Sequence, residues 1–150
     1  AGKFDPARAA AIPRIHWKKL QQGETVTDGE KTYYPADVLG PARAGLKVTY
    51  CTDSRPVPAI AENAKNADLF ICEGMYGDPA KQDKAIENMH MTFEEAAALA
   101  REARPKAMWL THYSPSLNDP EEFIDLARNI FPETTAGGNG MTATLRFEER

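Results

Sequence analysis

Two rhythms of apolar and polar positions run along this chain, and each predicts its own kind of element. Short, largely apolar runs at 46–51, 69–72 and 106–110 read as strands covered on both faces. Between them the apolar positions recur at helical spacing. The stretch 57–66 places Ile60, Ala61 and Ala64 on one side, with Pro58 in the first turn. A second helix is expected over 92–103, where Thr92 and Glu95 fit a capping box and the following alanines suit close packing. A third begins at Asp119-Pro120 and stops at Pro132, and the alternation over 141–147 predicts a last strand. Residues 75–90 read as a polar loop with a helical turn.

The first 45 residues are more polar. A short helix over 6–11 is broken by Pro13 and followed by an irregular basic segment around Trp17. Asp28-Gly29 signals a hairpin turn between strands at 24–27 and 31–34, and 35–41 reads as a loop. Strands that alternate with helices imply an α/β layered domain, and no linker, repeat or low-complexity stretch divides it. The expected organisation is one half-domain over 1–150: a basic N-terminal segment (1–22), a hairpin and loop (23–45), and an α/β core (46–150).

Composition narrows the class. With 42% hydrophobic and 27% charged residues and a net charge of -4, the chain suits a globular fold rather than a membrane span. The two cysteines, Cys51 and Cys72, lie within apolar runs and form no spaced metal motif. They read as buried free thiols in a reducing compartment, and with no signal-peptide pattern the cytoplasm is expected. The first 22 residues are basic, carrying Lys3, Arg8, Arg14, Lys18 and Lys19 against Asp5. That segment reads as a solvated surface ahead of a nucleic-acid contact.

Chemistry gathers where the strands end. The first core strand runs into Thr52-Asp53-Ser54-Arg55, the second into Glu73, and the third into Thr111-His112-Tyr113-Ser114; His90 precedes the second helix. In an open α/β sheet these carboxyl ends line the ligand crevice, so Asp53, Glu73, His90 and His112 can meet on one rim. Two imidazoles and two carboxylates suit a divalent transition metal such as zinc. Each residue also has a plainer part. Asp53 can cap a helix, His112 can be a hydrogen-bonded loop histidine, His90 a surface residue, and Glu73 an ion-pair partner of Arg55. His16 has no such placement and reads as surface. No glycine-rich phosphate loop follows the first core strand, which weighs against a nucleotide-binding module.

The stretches "VTYCTDSRP", "ADLFICEGMY", "HMTFEEAAALA" and "LTHYSPSLNDPEEF" resemble consecutive motifs of the ribonuclease Z family, the transfer-RNA 3′-processing endonucleases of the metallo-β-lactamase superfamily. The resemblance extends back through "GKFDPARAAAIP". It implies half of an αββα sandwich, with a mixed β-sheet, helices on one face and an N-terminal hairpin. It implies that Asp53 and His112 are metal ligands, Asp53 bridging two zinc ions in a complete site. It also implies that His90, oriented by Glu73, assists the phosphate chemistry, and that Arg55 and Ser114 contact substrate. The activity implied is removal of 3′ trailers from precursor tRNA by metal-bound hydroxide.

Departures from the family pattern are also present. Cys72 stands where the family often has His, Gly74-Met75-Tyr76 replaces Ala-Thr-Phe, and Ser116-Leu117 lies where many members have Arg-Tyr. The superfamily's main metal motif, His-x-His-x-Asp-His, does not occur in this sequence. The chain alone is therefore expected to be inactive and to hold partial metal or none. Its expected partner is the N-terminal half of the fold or a second copy in a homodimer, with precursor tRNA the substrate of the whole. The alternatives are a non-catalytic α/β half-domain and another metal-dependent hydrolase of the same superfamily.

Overall fold

Residues that read as loop or irregular chain near the N-terminus are largely ordered into elements. The computed structural model describes residues 2–147. They form two compact units, one of the residues up to Gly45 with Phe147, the other spanning Leu46–Arg146. In the first, β1 (Gly2–Phe4) pairs antiparallel with β4 (Leu39–Ala42), so part of the expected 35–41 loop is a strand. The pairing sets Phe4 opposite Leu39, and both pack on a small core of Ala9, Ile12, Leu20, Val26 and Val38. Helix α1 (Pro6–Ala9) is capped by Asp5, whose carboxylate accepts the Ala7 and Arg8 amides.

The segment around Trp17 is helix α2 (Arg14–Gln21) rather than irregular chain. Pro13 does not end structure there; it stands at the N-cap, where a missing N–H costs nothing. Leu20 is buried, and Trp17 donates from its indole to the Ile12 carbonyl at 2.9 Å. The hairpin forms between β2 (Val26–Asp28) and β3 (Lys31–Tyr33), with Asp28 paired to Lys31. Its turn is therefore Gly29-Glu30, one residue later than Asp28-Gly29, and Gly29 supplies the positive φ of 61°. His16 is not a free surface residue: it lies 2.9 Å from the Asp28 carboxylate and stacks on Tyr33.

The larger unit is built on four strands, β5 (Val48–Cys51), β6 (Leu69–Glu73), β7 (Met108–Thr111) and β8 (Thr134–Ala136), paired in that order. All three pairings are parallel, where a mixed sheet was expected. The reason is the connectivity, since every link between them is a crossover through helix. Right-handed crossovers taken in one direction along a sheet put their helices on one face. These are α3 (Pro58–Ala64), α5 (Phe93–Ala103) and α6 (Ile124–Arg128), while α4 (Gln82–Glu87) lies in the link between β6 and α5.

The place beside β7 is taken by residues just after α6, not by 141–147, which are coil. Thr134 is buried there and donates its hydroxyl to the Phe131 carbonyl at 2.6 Å. The core sits between sheet and helices: Phe70, Cys72, Met108 and Leu110 meet Ala61, Ala64, Phe93, Ala96, Ala97, Ala100 and Ala103. Small side chains on α3 and α5 let these elements approach closely. A register row of Tyr50, Ile71, Trp109 and Thr135 alternates away from that core, and Tyr50 is 65% exposed.

Candidate metal centre

The carboxyl ends of β5, β6 and β7 deliver their side chains to one place. Asp53 Oδ1 lies 2.5 Å from His112 Nε2 and 4.0 Å from His90 Nδ1. One ligand atom from each of Asp53, His90 and His112 falls within 4.8 Å of the others. The two imidazole rings are 5.4 Å apart. Asp53 and His112 are exposed, so the group opens to solvent on one side. Two imidazole nitrogens and a carboxylate oxygen form a donor set that zinc and similar divalent ions accept.

The backbone is bent to make this meeting. Asp53 (φ 49°) and His112 (φ 60°) both adopt the left-handed region, as does Met89 (φ 61°) immediately before His90. Left-handed backbone costs a residue with a Cβ on the order of 1 kcal/mol or more, and such positions cluster where function demands them. A parallel strand that continued straight would carry its next side chain past the rim. The reversal at residues 53 and 112 turns both toward the same point.

Behind the cluster stands Glu73, fully buried. Its carboxylate accepts the Ser54 amide at 2.5 Å and the Met91 amide at 3.1 Å, and both its oxygens are 3.1 Å from His90 Nδ1. Three donors satisfy a carboxylate that water does not reach. With the Nδ1 proton directed to Glu73, His90 presents Nε2 for a metal or a substrate proton. The plainer alternative for Glu73, an ion pair with Arg55, does not form.

Arg55 instead makes a two-pronged pair with Glu95 of α5 and donates to the His90 carbonyl at 2.5 Å. Gln82 and the Thr92 amide also donate to Glu95. Burial alone pushes the Glu95 carboxyl up, but the Arg55, Thr92 and Gln82 hydrogen bonds outweigh it and hold the group below the usual carboxylate range. The guanidinium therefore braces the loop that carries His90. Sequence reasoning identified Glu95 as a capping residue, and the capping box is present. It missed the second duty, for which the only signal was a lone arginine beside the Asp strand. Ser114 lies two residues past His112, its amide bonded to the Met75 carbonyl at 2.9 Å. The phenol of Tyr113 is pushed up to about 12 by burial, and it donates to the Leu110 carbonyl.

Comparison with known proteins adds an independent line. Residues 5–113 match the family model described as a beta-lactamase superfamily domain. The Ribonuclease Z of Lachnospira eligens is 57% identical over 150 residues, covering 99% of this chain and 49% of the relative. That of Lachnoclostridium phytofermentans is 51% identical over 150 residues, with the same shares of 99% and 49%. The crystal structure of the short form of human tRNase Z superposes with a TM-score of 0.54 at 28% identity, over 68% of this chain and 34% of that one. The chain spans about half the length of the curated relatives it matches.

Proposed function

The chain belongs to the beta-lactamase superfamily, and on that footing we propose that it is one half of a zinc-dependent endoribonuclease that trims the 3′ end of precursor tRNA. One observation carries the reading most: Asp53, His90 and His112 converge at the strand ends, with buried Glu73 holding His90. In this reading both units belong to one half of the sandwich, and the remaining half supplies further metal ligands. The setting is the cytoplasm; among the described residues no helix is long and apolar enough to cross a membrane.

Asp53 and His112 would hold the metal, with zinc matching their oxygen and nitrogen donors. A bound zinc ion would supply Lewis acidity toward the phosphoryl oxygens. The chain's own residues do the rest. Glu73 accepts from His90 Nδ1 and fixes its tilt, so that the ring, when protonated on both nitrogens, can hand the Nε2 proton to the leaving oxygen of the cleaved phosphodiester and be left neutral. Arg55, through Glu95 and the His90 carbonyl, keeps that loop in place. Ser114, two residues past His112, would contact the substrate.

The test uses the complete protein and a precursor tRNA with a 3′ trailer. Glu73→Gln and His90→Ala should each lower kcat by about 10²-fold or more while KM changes little, the pattern of a lost proton-transfer group. Full activity in His90→Ala, or a complete wild-type protein that leaves every precursor intact, would overturn the proposal.

A further inference from the structure

Next to the metal cluster lies a cleft that the proposed proton chemistry leaves unused. It begins where the chain leaves the site, for Ser114 follows His112 by two residues and bonds to Met75, two residues past Glu73. Ser114, Ser116 and Leu117 line it from one side, Lys81 and Phe123 from others. Lys81 Nζ donates to Ser116 Oγ at 3.2 Å, and the Ser114 and Ser116 hydroxyls are 2.9 Å apart.

Counting donors decides what this cleft suits. An ammonium has three hydrogens and each hydroxyl one. One ammonium hydrogen goes to Ser116, and one hydroxyl hydrogen is shared between the serines. Two ammonium hydrogens and one hydroxyl hydrogen remain. Among the described residues Lys81 forms no ion pair, so its charge is met only by a neutral hydroxyl. The lining also includes Asp78, which takes the Ala80 amide, and Glu122. Those carboxylates repel a dianion more than a monoanion, which favours a phosphodiester over a terminal phosphate. Phe123 and Leu117 offer an apolar wall to the attached nucleoside.

We propose that this cleft binds a backbone phosphodiester of the RNA substrate adjacent to the one that is cut, with Lys81 and the two serines on its oxygens. The inference rests on the nuclease reading above and adds its positioning cation.

In the complete enzyme, Lys81→Met should raise KM for precursor tRNA about 5- to 10-fold and reduce the slope of log KM against log salt by about one, as the loss of one phosphate contact does. Ser116→Ala should give a smaller rise in KM. Lys84→Met, on the exposed side of α4, is the comparison and should match wild type in both respects. If Lys81→Met is indistinguishable from Lys84→Met, or lowers kcat with KM unchanged, the cleft proposal is overturned while the nuclease reading stands. If wild type cleaves no precursor, the nuclease reading falls. The cleft is then judged by titration with a dinucleotide monophosphate and inorganic phosphate. Preference for the dinucleotide, lost in Lys81→Met, supports the site; equal binding by both variants overturns it.

Discussion

A methyl group at position 74 would sit 2.9 Å from Phe93 Cδ1 and 3.1 Å from Leu110 Cδ2. Both neighbours are buried, so neither can swing aside. This explains a departure seen in the sequence: Gly74 follows Glu73 where the ribonuclease Z pattern has Ala, because Phe93 fills that volume here. Gly74→Ala should therefore destabilise the fold by about 1–3 kcal/mol, the range for overpacking a filled core. Thermal unfolding measures it, and an unchanged midpoint would mean that the Phe93 ring yields. Asp53→Ala, by contrast, removes an exposed carboxylate from a strained turn. In the complete protein it should cost bound metal rather than stability, read by metal analysis beside a melting curve. That Asp53, His90 and His112 meet, with Glu73 against His90, was legible because residues at strand ends and helix starts gather on one rim of such a sheet. The partner of Arg55 was not. Glu73 and Glu95 lie 18 and 40 residues away from it, and only the packing of α5 decides between them.

Helix α5 shows how far local signals reach. Its start was readable from Thr92 and Glu95, because a capping box is closed within one turn. Among the elements misread were strands whose pairing partner is distant in sequence. Strand β4 needs β1, and β8 needs a vacant edge beside β7 that no local pattern announces. Glu95 also makes the N-terminus of α5 sensitive to acid. Its folded-state value lies below the ordinary 4.5, so its contribution is complete above that value and is lost as pH falls through the lowered one. Glu95→Gln should thus melt below wild type near neutrality, and the gap should narrow as pH drops beneath about 4. A gap that stays constant from pH 7 to pH 2 would refute the ion pair's role.

At the scale of the larger unit, α3, α5 and α6 clothe one face of the sheet. The row Tyr50–Ile71–Trp109–Thr135 lies on the other, with Val48 53% exposed. Apolar surface of this kind attracts a partner. By itself, the 150-residue chain should self-associate through this face, with Trp109 emission shifting to the blue on dilution's reverse, concentration. Light scattering decides, since a monodisperse monomer of 16.6 kDa at micromolar concentration would refute it. The same chain should leave precursor tRNA uncut.

The order β5-β6-β7-β8 has one more consequence, in time rather than in space. Each strand docks on the neighbour made just before it, so the sheet can grow along one edge as translation proceeds. Asp53 and Glu73 are laid down first, His90 follows, and His112 arrives only when β7 has joined β6. A nascent polypeptide thus stays unable to close its triangle of donors around a passing ion until most of the sheet beneath it is already in place.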